Sequence, residues 1–264
     1  MLYQSLAEYI LIFSCTDLSF PAQLCVIIDM LEKKEGVNMS DILIGKNTIT
    51  NQEVFLTLPT VAVMTGEKGA GKTFLLYKII ERKTDGRIIL FTNKPDHYQG
   101  LGEKRLRVSE GELEFDIDAH LTVVDVSYLY HDDPTVVLDD AIRNFNKKTT
   151  ENDLIILDEA FPTFAEEEYK QELYRSIEEG WKAGVSVIVS TNDTQTLNNT
   201  VRDLLYMCEY SICMKQEKDL AVKFCELSAS DRGKYELLQY YDAMEFGSAI
   251  VSRQDGSVDF IKVC

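Results

Sequence analysis

Apolar residues in this chain fall into short dense runs separated by polar stretches, and the character of the runs changes along its length. Val61-Ala62-Val63-Met64, Arg87 to Thr92, Leu121 to Val126, Leu154 to Leu157 and Val185 to Ser190 are nearly continuous and rich in β-branched side chains. Such runs mark strands buried on both faces of a parallel sheet, since a half-exposed strand would alternate apolar with polar. Between them, helical spacing predicts helices over Gly71 to about Lys83, Asp133 to Lys148 and Phe164 to Lys182. Strand and helix therefore alternate, which predicts a doubly wound α/β fold with a mainly parallel central sheet flanked by helices.

Both ends depart from this rhythm. Ile42 to Gly45 and Val54 to Leu58 are short runs divided by polar turn residues and predict a hairpin feeding the core. Helices over Lys218 to Cys225 and Ser230 to Tyr241 precede two alternating runs, Ser248 to Arg253 and Ser257 to Val263, joined by Asp255-Gly256. An Asp-Gly pair accepts the left-handed backbone of a two-residue turn, so a C-terminal β-hairpin is expected. Residues 1–36 read as two helices, the second with Pro21 in its first turn and Gly36 at its end. The expected organisation is a short helical preface over 1–36 and one catalytic domain over 37–264.

Charge narrows the partners. With 27 basic against 44 acidic residues the formal net charge is -17, which opposes non-specific attraction to a phosphate backbone, so any DNA contact must be local. Lys104-Arg105-Leu106-Arg107 and Asn146-Lys147-Lys148 are the basic segments available for such a surface. Six cysteines, Cys15, Cys25, Cys208, Cys213, Cys225 and Cys264, form no CxxC pair, and a reduced, cytoplasmic setting is expected. The apolar stretch Tyr9 to Met30 is broken by Asp17, Pro21 and Asp29, which predicts no integral membrane segment. Peripheral docking at the inner face of a membrane stays open.

The chemistry is concentrated in three places. Gly66-Glu67-Lys68-Gly69-Ala70-Gly71-Lys72-Thr73 matches the phosphate-loop pattern GxxxxGK[ST] at every fixed position, between an expected strand and an expected helix that begins with Phe74 in its first turn. Glycines let successive N–H groups and a helix N-terminus face phosphates. Lys72 would then neutralise the β- and γ-phosphates of a nucleoside triphosphate, and the Thr73 hydroxyl would coordinate Mg²⁺. Leu154 to Leu157 followed by Asp158-Glu159 has the form of a Walker B strand. Asp158 would hold Mg²⁺ through water, and Glu159 would orient and deprotonate the attacking water. The run ending Ser190-Thr191-Asn192 places polar residues at the carboxyl edge of the sheet, where Asn192 is the candidate γ-phosphate sensor and Thr191 the second choice. Arg175, Arg202, Arg232 and Arg253 are the arginines from which a neighbouring subunit could supply transition-state charge. His97, His120 and His131 lack metal-ligand spacing. Asn93-Lys94-Pro95-Asp96 carries the letters of a guanine-reading motif but follows an early strand, and it reads as a loop, which leaves ATP as the expected nucleotide.

The order of these elements resembles the HerA/FtsK superfamily of hexameric P-loop motors, and within it the ATPases of conjugation and type IV secretion. The resemblance covers most of residues 41–263 and rests on Ile42 to Asn47, Gly66 to Thr73, Leu157-Asp158-Glu159-Ala160-Phe161, Lys182 to Val185 leading to Asn192, and the terminal hairpin. It implies a RecA-like P-loop NTPase core, ATP with Mg²⁺, and a homo-oligomer, a ring of six, with ATP between neighbours. It also implies work at a membrane-associated secretion or conjugation machine, or DNA drawn through the pore. The chain departs from that family in having Asn192 where glutamine is usual, Phe161 where tryptophan is frequent, and Trp181 before Lys182. Three functions follow as alternatives: a motor for conjugative transfer or secretion, a viral or plasmid DNA-packaging or translocating ATPase, and a nucleotide-gated assembly protein with slow hydrolysis.

Overall fold

The computed structural model describes residues 40–101, 104–107, 119–126, 152–159, 167–192, 208–228, 235 and 238–264. A hairpin of β1 (Ser40–Asn47) and β2 (Glu53–Leu58) leads into β3 (Val61–Thr65), helix α1 (Lys72–Arg82) and β4 (Ile88–Thr92). After a 3-10 turn at Pro95–Tyr98 come β5 (Lys104–Arg107), β6 (Leu121–Asp125), β7 (Leu154–Asp158), α2 (Glu167–Lys182) and β8 (Ser186–Thr191). Then follow β9 (Tyr210–Met214), α3 (Lys218–Ser228), a 3-10 turn at Tyr241–Ala243, and the hairpin of β10 (Ser248–Arg253) and β11 (Val258–Val263). The described residues all belong to one packing unit, Asn38–Cys264.

These strands form one sheet in the order β2-β1-β11-β10-β9-β3-β8-β7-β4-β6-β5. From β9 to β5 every pairing is parallel. From β9 to β2 every pairing is antiparallel, and β10 and β11 pair as the hairpin that Asp255-Gly256 predicts. β3, β4, β7 and β9 are buried along their whole length. Alternate residues serve the two faces. Val61 and Val63 join Ile177 of α2 and Phe224 of α3 on one side, while Ala62 and Met64 join Leu75, Leu76 and Ile79 of α1 on the other. Each fully buried leucine or isoleucine on α1 contributes roughly 2 kcal/mol of transfer free energy.

Two strands depart from the expected pattern. β9 lies between β3 and β10, where the parallel and antiparallel halves join, although Tyr210-Ser211-Ile212-Cys213-Met214 is short and interrupted by serine. β5 makes the basic segment Lys104 to Arg107 an edge strand beside β6, a position where charge discourages pairing with another chain. The expected helix over Asp133 to Lys148, the preface over 1–36 and the basic residues 146–148 lie outside the described residues. Of the helix expected over Ser230 to Tyr241, Tyr235 and Leu238 to Tyr240 are helical, and Tyr241–Ala243 closes as a 3-10 turn.

At the end of the sheet away from the strands' carboxyl termini, Asp153 fastens β7 to β4. Its carboxylate accepts from the Arg87 backbone N–H at 2.7 Å and from Arg87 Nη2 at 2.5 Å, and its own carbonyl accepts from the Ser186 N–H of β8 at 2.8 Å. Asp153 is fully buried and Arg87 nearly so. Removing one partner of a buried pair strands the other charge, so Asp153→Ala is expected to lower unfolding free energy by about 3 kcal/mol. Urea denaturation checks this: the midpoint should fall with the slope unchanged.

Candidate active site

Strand register assembles the site. β3, β8, β7 and β4 are consecutive parallel neighbours, with Thr65 opposite Thr191, Ser190 opposite Asp158, and Asp158 opposite Thr92. The residues just beyond these strand ends therefore face one another across the carboxyl edge: Gly66 after β3, Asn192 after β8, Glu159 after β7, and Lys94 two residues after β4.

The phosphate loop runs from Gly66 into α1. Gly71 is the N-cap of that helix at φ 110°, in the left-handed region that glycine adopts without strain, and no side chain caps the first turn. The N–H groups of the first turn are thus left to an external acceptor such as a phosphate. Gly66 meets a different constraint, because a β-carbon there would lie 2.9 Å from Met214 Cβ. The antiparallel half of the sheet holds the loop from outside: Glu67 N–H donates to Lys215 O at 2.9 Å, and Gly247 N–H donates to Ala70 O at 2.8 Å. Ala70 is fully buried, Lys68 and Gly69 are exposed, and Phe74 lies half-exposed on the first turn of α1.

Lys72 is buried, and its ammonium donates to Gly66 O at 2.6 Å, to Glu67 O at 3.1 Å and to Asn192 Oδ1. Burial lowers its pKa, and Lys94 nearby adds to that, while Glu159, Asp158 and Glu67 oppose it.

The two acids have different surroundings. Asp158 is almost fully buried, and Tyr98 Oη donates to its Oδ2 at 2.7 Å. Burial raises the Asp158 pKa against the pull of that hydrogen bond. The Ser190 hydroxyl lies near enough to favour the charged form of Asp158 but not in hydrogen-bond geometry, so Asp158 Oδ1 makes no well-formed hydrogen bond among the described residues. Thr73 lies close enough to oppose the rise that burial and Asp158 cause in the Tyr98 pKa, so the phenol neighbours both residues expected to hold a metal. A buried carboxylate with one oxygen uncommitted and a threonine hydroxyl, both beside Tyr98, are hard-oxygen donors that fit Mg²⁺, an ion usually held by one or two carboxylates, waters and substrate phosphates. Among the described residues no cluster of three His, Cys, Asp or Glu exists, as that mode of binding requires none.

Glu159 is less buried and sits at φ 53°, with its N–H donating to Ser190 O at 2.9 Å. Burial pushes its pKa up, but an ion pair with Lys94, a hydrogen bond from Asn192 and the nearby Lys72 bring it below the ordinary glutamate value.

The structure thus brings together Lys72, Thr73, Asp158, Glu159 and Asn192. Thr191, the second choice as sensor, ends β8 beside Asn192. Lys94 and Tyr98 are the site residues that sequence reasoning missed. Both come from the Asn93-Lys94-Pro95-Asp96 segment and its 3-10 turn, which the sequence showed as a loop after a buried strand, while the pairing of that strand with β7 is visible only in the structure. Of the arginines, Arg253 pairs with Asp259 at 2.7 Å and stacks over Tyr210 at the opposite end of β9, Arg175 is exposed on α2, and Arg202 and Arg232 lie outside the described residues. His120 accepts a structural role, contacting Gly86 O and Lys83 O after α1.

The sheet order, the glycine-capped phosphate loop and the acidic pair on a strand one removed from it define the class: a RecA-like P-loop ATPase. Within that class, residues 60–238 match the family described as zonular occludens toxin (Zot), and the chain belongs to it. No curated protein matches the chain by sequence. Among solved structures, VirB4 of Thermoanaerobacter pseudethanolicus superposes with a TM-score of 0.67 at 13% identity, over 85% of this chain and 96% of that one. The genome packaging NTPase B204 of Sulfolobus turreted icosahedral virus 2, in complex with ATP-γS, gives 0.57 at 15% identity over 77% and 97%. The type VII secretion ATPase EccC of Thermomonospora curvata gives 0.57 at 13% identity, over 85% of this chain and 26% of its own cytoplasmic domain. These likenesses bear out the expected fold.

Tyr98→Phe removes the donor that orients Asp158 while keeping the ring in the core. It is expected to weaken Mg²⁺-dependent nucleotide binding about tenfold, as loss of a group supporting a metal ligand typically does. Titrating Mg²⁺ against binding of a fluorescent ATP analogue checks this, with thermal unfolding as the control for folding.

Proposed function

We propose that this protein is an ATP-hydrolysing motor of the kind that packages nucleic acid or drives secretion. The observation that carries the reading is the convergence of Lys72, at the start of α1, with Asn192, Asp158 and Glu159 at the ends of the neighbouring parallel strands β8 and β7. In this reading Lys72 leaves the Gly66 and Glu67 carbonyls and Asn192 to meet the β- and γ-phosphates, and the open N-terminus of α1 receives the phosphate oxygens. Asn192, next to both Lys72 and Glu159, reports the γ-phosphate. Glu159 orients the attacking water and takes its proton. Mg²⁺, held by the Thr73 hydroxyl and through water by Asp158, supplies charge neutralisation on the phosphates.

The finer reading is a homo-oligomeric, six-membered ring with ATP between subunits, working in the cytoplasm or at the inner face of a membrane on conjugative DNA transfer or type IV secretion. VirB4, EccC and B204 support it by fold. Among the described residues no helix is long and apolar enough to cross a membrane. DNA packaging or translocation without a secretion partner is the alternative that B204 favours. A nucleotide-gated assembly protein with slow hydrolysis is favoured by a separate observation, that Lys72 and Glu159 both have their polar atoms engaged by protein groups.

Phosphate release from Mg-ATP, with and without single- or double-stranded DNA, tests these readings. Lys72→Ala and Glu159→Gln are each expected to reduce turnover by about 100-fold or more. Stimulation by DNA supports a translocating motor. Bound ATP and oligomer formation without turnover would overturn the motor reading in favour of gated assembly.

A further inference from the structure

The six-residue segment from Asn93 to Tyr98 grips both acids of the site. At its far end Tyr98 is fully buried and donates to Asp158. At its near end Lys94 pairs with Glu159 Oε2. The segment has little freedom to place Lys94 elsewhere: the Lys94 N–H donates to Thr92 Oγ1 at 3.1 Å, Pro95 begins the 3-10 turn, and the His97 N–H donates to Lys94 O at 3.1 Å.

Stability does not account for this pair. The Lys94 side chain is 34% exposed and that of Glu159 15%, and a pair this open to solvent contributes at most about 1 kcal/mol. It also sets a second ammonium near Lys72, which is unfavourable unless an anion lies between them. Here the anion is the Glu159 carboxylate. It is faced by Lys94 from the loop after β4, by Asn192 from the end of β8, by Lys72 from α1, and by its neighbour Asp158 on its own strand. Lys72 in turn donates to Asn192 Oδ1, so Lys72, Asn192, Glu159 and Lys94 form one chain of contacts. Two ammoniums and an amide are the donor set that a terminal phosphate would also use.

A carboxylate that is paired with an ammonium has one oxygen fixed on that cation and a weakened hold on a proton, so it is a poorer base for a water than the same carboxylate released from the pair. From this geometry, and resting on the reading of Glu159 as the hydrolytic carboxylate, we propose that Lys94 is a positioning residue that holds Glu159 off the attacking water until the terminal phosphate of a bound triphosphate competes for the Lys94 ammonium. Lys94 thereby keeps the unstimulated rate low and ties release of the base to the presence of the third phosphate. A diphosphate, which lacks that group, leaves the pair closed.

The test is steady-state hydrolysis of Mg-ATP by the full chain, without DNA, for the parent, Lys94→Met, Lys94→Arg, Glu159→Gln and the double variant Lys94→Met/Glu159→Gln. Lys94→Met is expected to raise kcat about three- to tenfold with KM within about twofold, since the loss frees a general base rather than a binding group. Lys94→Arg keeps a cation that pairs with carboxylates and is expected to restore the parent rate to within about twofold. The double variant is expected to be as inactive as Glu159→Gln alone. A lower kcat for Lys94→Met, a raised KM with kcat unchanged, or no change in either would overturn the proposal while leaving Glu159 in its role. Full activity in Glu159→Gln would instead remove the hydrolytic reading itself, and the proposal with it. Equal melting temperatures for Lys94→Met and the parent separate a change in chemistry from a change in folding.

Discussion

Parallel strands run their carboxyl ends to the same edge, and in this protein four of them do so side by side with unbroken register. That constraint places one residue each from β3, β8, β7 and β4 within reach of the others, before any side-chain chemistry is considered. The strands can lie side by side because each is apolar on both faces and has helices to cover it. Had β4 been half polar it would sit at an edge, and Lys94 and Tyr98 would have no acids to meet. The packing of the sheet and the chemistry of the cleft are therefore one problem: the residues that fill the core decide which loop tips become neighbours.

Adjacent acids on one strand end would ordinarily repel and titrate together. Here the environment separates them. Asp158 is buried and accepts from a phenol, and burial raises its pKa above the ordinary aspartate value. Glu159, one residue on, lies among donors that favour its charged form. Two neighbouring carboxylates thus acquire different tasks through their surroundings rather than their type. The left-handed backbone at Glu159 marks where the strand geometry of β7 ends, one residue after Asp158. A non-glycine residue in that region costs on the order of 1 kcal/mol, and the bond from Glu159 N–H to Ser190 O helps hold it there.

Much of this was legible in the sequence because the signals are local. The phosphate loop is a contiguous motif whose glycines have no other ready explanation, the Asp158-Glu159 pair ends an apolar run, and Asp255-Gly256 dictates a hairpin wherever it falls between alternating segments. Asn192 was legible as the polar end of a buried strand. Lys94 and Tyr98 were not, since nothing in a lysine before a proline or a tyrosine four residues later tells which strand will lie alongside. Strand order is a long-range property: β4 adjoins β7 across more than sixty positions of chain. β9 was hidden for a related reason, because a five-residue strand interrupted by Ser211 has too short a pattern to separate it from a loop. Its position is set by β3 on one side and β10 on the other.

The pairing of β1 with β11 and of β9 with β10 has a consequence for how the molecule comes into being. The phosphate loop is near the beginning of the domain, yet Gly247 supplies one of its backbone bonds, and β10 and β11 are what connect the first hairpin to the parallel sheet. The loop's outer support is therefore in place only once β10 and β11 have paired with β9 and β1, so forming the nucleotide pocket depends on contacts between distant parts of the chain and not on the adjoining helix alone.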